Sequence, residues 1–165
     1  MSALALLFWY DDLLTQLTRP KEDAVSEPVL EPNPRIERLG GFSTVRAGAG
    51  EDRWSGAEYA LGLSRRTVGA HTLSMNVAHL PPGGSIEAHI HDGYEVGLYV
   101  LEGHVEHRFG PGLTQSLING PGDFIFVESG VPHAAFNLSD EDPVVVVVSR
   151  TSPDEWAKVV PYNAE

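Results

Sequence analysis

His89, His91 and Glu95 fall within seven residues of one another, and His133 follows inside the run FIFVESGVPHAAFN. Side chains at i and i+2 share one face of a β-strand, so His89 and His91 point the same way if the run AHIH is extended. The turn-forming pair Asp92-Gly93 can then bring Glu95 back beside them. Imidazole nitrogen together with carboxylate oxygen suits Mn, Fe, Co, Ni or Zn, and the mixture does not choose among them. The chemistry on offer is that of a bound transition metal: polarising an oxygen, lowering the pKa of a bound water, or gathering a chelating substrate and dioxygen.

Around these residues the glycines have a definite order. Gly83 precedes His89 by five intervening residues, three residues separate His91 from Glu95, and Gly103 closes the stretch; Gly122, Gly130, His133 and Asn137 form a second ordered set. In both stretches the chain resembles the cupin superfamily, over roughly residues 70–150. The resemblance implies an all-β fold, a jelly-roll double-sheet β-barrel whose mouth holds one metal. It also implies His89, His91, Glu95 and His133 as the four metal ligands, with Fe or Mn as the first candidates and Zn, Ni or Co as the others. Glu95 and Gly103 enclose seven residues, one more than the family's motif. In a regular strand that extra residue turns Glu95 off the metal face. A β-bulge at Gly97 restores it; without a bulge Val96 takes the ligand's place and three histidines remain. Glu128 stands where the family usually has proline.

The rest of the chain must position this site. Its 165 residues suit one domain with a proper core. Residues 1–36 read as an N-terminal helix followed by an extended, proline-rich N-terminal arm, and 37–165 as a single barrel domain. Ser2 can cap the helix, and Leu6, Tyr10, Leu13 and Leu17 recur at helical spacing. The helix packs on its own barrel or reaches across a dimer. The apolar ALALLFWY has no basic residue before it and Asp11-Asp12 directly after it, which fits neither a signal peptide nor a membrane span. A formal charge of −12 opposes partnership with nucleic acid or an anionic membrane. The absence of cysteine excludes thiolate ligands and agrees with a cytoplasmic location.

Short β-like runs follow at Phe42–Arg46 and Thr67–Leu80. HVEHRF ends in the Gly110-Pro111-Gly112 turn, and Asn119–Gly122 turns the chain into a strand from Phe124. Five consecutive valines within Pro143–Ser149 read as a strand buried on both faces; an exposed edge there favours a sheet-completed homodimer. Ser152-Pro153 with Glu155 can start one helical turn. Leu98, Val100, Phe124, Phe126 and Phe136 are the candidate pocket walls, and one of His104 and His107 can face the pocket. Asn137 is expected to bond backbone, and Trp54 to sit in the core or cover a barrel end. Arg108 is the only basic residue between Arg66 and Arg150, so no phosphate cradle is expected. These features point to a small-molecule partner and, first, to a metal-dependent oxidoreductase, dioxygenase-like, acting on a small organic carbonyl or hydroxy acid. The alternatives are a metal-dependent isomerase, lyase or hydrolase using the metal as Lewis acid, and a ligand-binding cupin without turnover.

Overall fold

The computed structural model describes Leu30 and residues 32–164; the expected N-terminal helix and most of the arm lie outside the described residues. Thirteen strands carry the fold among the described residues. They are β1 (Ile36–Leu39), β2 (Phe42–Val45), β3 (Glu51–Trp54), β4 (Ala57–Leu63), β5 (Ser74–Leu80), β6 (Ser85–His91) and β7 (Val96–Glu102), then β8 (Val105–Phe109), β9 (Gln115–Asn119), β10 (Phe124–Val127), β11 (His133–Asn137), β12 (Val144–Arg150) and β13 (Val159–Pro161). One short helix, α1 (Arg65–Val68), joins β4 to β5. Thr67 therefore belongs to a helical turn, and the strand expected from Thr67 begins only at Ser74.

Two antiparallel sheets form the barrel, with orders β10-β7-β12-β5-β4-β3 and β13-β6-β11-β8-β9, and β1-β2 make a separate ribbon. The valine run becomes β12, held between β7 and β5 in the centre of its sheet. Stiff β-branched side chains suit such a strand, because both its neighbours and its inner face are filled. Buried Tyr59, Ala78, Leu80, Val96, Val100, Val105, Val144, Val146 and Val148 join in one core. The turn from β7 to β8 needs Gly103: its φ is +77°, and a Cβ there would lie 2.5 Å from the Pro143 carbonyl oxygen.

The C-terminal segment closes one end of the barrel. Ser152–Lys158 is a turn region without helix, tied to α1 by the Arg65 N–H to the Pro153 carbonyl (2.8 Å) and by Arg65 Nε to Asp154 Oδ1 (3.1 Å). The expected capping box is absent because the Glu155 carboxylate is buried and turned to Arg66 Nε at 3.5 Å. Anchored this way, the segment swings Trp156 over the barrel mouth before β13 adds to β6. No helix among the described residues is long and apolar enough to cross a membrane.

Candidate metal centre

His89 and His91 come from β6 and His133 from β11, and His89 and His133 are cross-strand partners. Between His133 and Ala135 the register shifts, with Ala135 opposite Ile86 instead of Glu87. The extra residue on β6 is a β-bulge, which allows Ile86, His89 and His91 all to line the interior. The bulge also places the Glu87 carbonyl against the first ligand: His89 Nδ1 lies 2.8 Å from it. His133 Nδ1 has the same partnership with the Val131 carbonyl at 2.9 Å, and His91 Nδ1 meets the Tyr94 hydroxyl at 2.8 Å. A carbonyl can only accept, so the protons of His89 and His133 sit on Nδ1 and the Nε2 lone pairs are free.

These ring nitrogens converge. The three buried histidines offer ligand atoms within 4.8 Å of one another, and the Nε2 atoms of His89 and His91 are 3.3 Å apart. Two nitrogens each about 2.0–2.1 Å from one metal lie about 3.0 Å apart at a right angle and about 3.4 Å apart at a tetrahedral angle. The His89–His91 spacing falls in that interval, and with the His133 ligand atom within 4.8 Å of both the three could hold a divalent transition metal. Burial, reinforced by the neighbouring imidazoles and the Arg150 charge, lowers His89 to about 4 and His91 to about 3. His133 is lowered too, chiefly by burial. All three are thus neutral at pH 7, the form in which imidazole ligates.

Glu95 is not brought to this cluster. It precedes β7, its side chain is exposed, and its backbone is tied to Thr151 by the Glu95 N–H to Thr151 Oγ1 (3.0 Å) and the Thr151 N–H to the Glu95 carbonyl (3.1 Å). Gly97 lies in regular register opposite Phe126 and Ser149, so it carries no bulge. The surplus residue is absorbed further on, at Leu101: Val145 faces Glu102 while the adjacent Val146 faces Val100. Inward parity therefore falls on Val96, Leu98 and Val100. Val96, 2% exposed, occupies the position counted back from Gly103 where the motif places its carboxylate, and three imidazoles make the set.

The cavity above them offers about 70 Å³ to the centres of water-sized molecules, room for several waters or a small organic molecule. Its walls are mainly apolar, with Trp54, Tyr59, His107, Arg150 and Trp156 added to the histidines. Trp54 meets His89 edge-on at 4.8 Å and stacks on Trp156 at 5.6 Å. Of the expected walls, Leu98 lines the cavity, whereas Phe124 and Phe126 are 82% and 62% exposed on the opposite face of the sheet. Phe136 lies beneath the Arg108 guanidinium, 4.5 Å from its ring centre. His107, and not His104, faces the cavity, lowered to about 4 chiefly by burial. Asn137 bonds backbone, donating to the Pro81 and Asp142 carbonyls at 2.9 Å each. Glu128 is exposed. Arg150, Trp156 and Tyr94 escaped sequence reading; a charged residue ending an apolar valine run was the available signal for Arg150.

Comparison with known proteins agrees with this architecture. A family model described as a cupin domain matches residues 76–149, and no curated protein matches the chain. Among solved structures, the polyketide cyclase RemF from Streptomyces resistomycificus is 24% identical, with 67% of this chain and 73% of that one covered and a TM-score of 0.56. Oxalate decarboxylase from Lactobacillus farciminis, in a formate complex, is 18% identical over 68% of this chain, with a TM-score of 0.57. The oxalate decarboxylase of Bacillus subtilis, studied for its Mn(II) centres, is 18% identical over 67% of this chain, with a TM-score of 0.58. This chain spans only 33% and 29% of the two decarboxylases, and at these identities the likeness is one of fold. The family match lies over the central strands of the jelly-roll barrel, and over residues 76–149 the chain is similar to a cupin domain.

Proposed function

We propose that this protein is a metal-dependent oxidoreductase, dioxygenase-like, acting on a small organic carbonyl or hydroxy acid. The observation that carries the reading is the convergence of the ligand atoms of His89, His91 and His133 on a mainly apolar cavity that all three line. Held by these residues, Fe or Mn would supply open coordination positions at which a chelating substrate and dioxygen can meet. The occurrence of Mn(II) centres in a Bacillus subtilis decarboxylase of this fold supports the choice of metal.

The protein's own groups favour chemistry centred on the metal. Proton transfer at neutral pH is most efficient from a group whose pKa lies near 7. Burial drives His107 down to about 4 and Tyr59 up to about 12, away from that range on either side. Both act instead as fixed neutral walls. Trp54 and Trp156 cover the mouth, and the apolar walls restrict water around the substrate. A dioxygenase that cleaves a carbon–carbon bond places both atoms of O2 in the organic products; the four electrons come from the substrate, so no separate reductant is needed.

The test is oxygen uptake by protein loaded with Fe(II) or Mn(II), screened against small keto and hydroxy acids and diketones. Uptake equal to substrate consumed, lost in His133→Ala, is expected. Equal turnover without oxygen in Zn- or Ni-loaded protein would replace this reading with Lewis-acid catalysis. Ligand-induced stabilisation without any product would replace it with a binding role.

A further inference from the structure

Arg150 ends β12 and is 4% exposed, yet its guanidinium lines the cavity. Nη1 donates to Asn76 Oδ1 at 3.0 Å, and the guanidinium carbon lies 5.2 Å from the centre of the Trp156 ring. Nε is buried and has no hydrogen-bond partner among the described residues. A buried donor left unmade is destabilising, and more so when the group is charged. Ionised arginines in protein interiors are normally paired. Among the described residues no aspartate or glutamate lines this cavity, and Arg150 is the one arginine or lysine that does.

The register explains the imbalance. Arg150 is the direct cross-strand partner of Val96, the position at which the family motif would place its glutamate. Cross-strand partners share a face of the sheet. A carboxylate at 96 would lie beside the guanidinium and beside the imidazoles; with valine there, the guanidinium faces that space without an anion from this position. Buried Glu155 meets Arg66 through Oε2 at 3.5 Å and does not line the cavity; its charge still attracts Arg150, but it makes no hydrogen bond to the guanidinium.

We infer that Arg150 binds the carboxylate of the ligand, so that the cavity accepts small carboxylates of roughly pyruvate or malonate size in preference to neutral carbonyl compounds. The guanidinium holds the acid group by a charge-assisted hydrogen bond from Nε, with the remaining oxygen donor of the ligand directed towards the imidazoles. This deepens the proposed function and rests on it for the orientation of the ligand, but the pairing of Arg150 with a carboxylate does not require the metal.

Calorimetric titration with pyruvate, lactate, malonate and the neutral pyruvamide tests it, on metal-free and Zn-loaded protein. Pyruvate is expected to bind about 10- to 100-fold more tightly than pyruvamide in both forms. Arg150→Gln is expected to lose about that factor for pyruvate while leaving pyruvamide within about threefold, and Arg150→Lys to keep part of the preference. A merely structural arginine would weaken acid and amide in parallel. Equal affinities in the wild type, a parallel loss in Arg150→Gln, or no carboxylate binding at millimolar concentration would each overturn the assignment. Discrimination that persists in metal-free protein while no metal can be loaded would uphold Arg150 and reject the metal-dependent reading.

Discussion

Replacing Glu95 by alanine should leave metal binding intact, although the motif makes Glu95 a ligand. The side chain is exposed, and the two hydrogen bonds that tie this residue to Thr151 use its backbone. Truncation to Cβ preserves both, so the metal-free stability should change by no more than about 0.5 kcal/mol, or about 1–2 °C in Tm. His133→Ala is the contrasting perturbation. Structural zinc sites yield about 10–16 kcal/mol over four ligands, so one lost imidazole should cost about 3 kcal/mol, on the order of 10²-fold in affinity. Zinc at one hundred times the wild-type Kd stabilises a protein by about 2.7 kcal/mol. At the same zinc concentration a Kd raised a hundredfold leaves RT ln 2, about 0.4 kcal/mol. Thermal melts with and without zinc should therefore show a shift of about 5–11 °C in the wild type and in Glu95→Ala, and about 1–2 °C in His133→Ala. Element analysis of dialysed protein should agree, with one metal per chain in the first two. Loss of the zinc shift in Glu95→Ala, on the scale of His133→Ala, would refute the parity argument, because an exposed side chain outside the strand would then be a ligand.

Two further outcomes follow from the same geometry. Val96→Glu should place a carboxylate between the imidazoles and Arg150, raising zinc affinity by about tenfold or more and weakening pyruvate binding; an unchanged metal affinity measured by chelator competition would show that position 96 does not reach the site. Metal-free protein should lose stability as the pH falls from about 6.5 towards 4: His89 and His107 are lowered to about 4 and His91 to about 3 when folded, so the unfolded chain, titrating near 6.5, takes up protons first. The stability is fully present above the unfolded value, and the slope within the window approaches about 1.4 kcal/mol per pH unit for each imidazole that stays neutral. Urea midpoints that are flat between pH 7.5 and pH 5 would contradict the burial of these rings.

The barrel and the three histidines were legible because they rest on local rules. Alternating faces put His89 and His91 together whatever the sheet does, and the glycine-bounded spacing around His133 marks a second strand of the same barrel. The valine run could be read as buried on both faces, since a continuous β-branched run leaves no polar face; its central place between β7 and β5 came from the sheet order. Glu95 was different in kind. Its orientation depends on where one surplus residue is absorbed, and a bulge at Gly97 or at Leu101 leaves the composition of the segment unchanged while reversing the answer. Gly97 attracts the bulge by its freedom of φ and ψ, but its place opposite Phe126 and Ser149 in the ladder keeps it regular. The same ambiguity misplaced Phe124 and Phe126, whose strand pairs with β7 and inherits its parity.

Arg150 was out of reach for a related reason. In sequence it is fifty-four positions from Val96, and nothing local marks it as more than the polar end of an apolar strand. Only the β12–β7 register makes the two neighbours, and only then does the substitution of valine for a carboxylate acquire an electrostatic consequence. A site with three neutral imidazoles and a ligated divalent cation would carry two positive charges, and the guanidinium adds a third. Removing the single anionic residue from such a cavity is tolerable if the missing negative charge arrives with the ligand, because each cationic centre then gains at binding the partner that the protein withholds from it. On that argument the departure at position 96 does not weaken the site; it moves one of its charges from the protein to the substrate and makes the acid group a condition of binding.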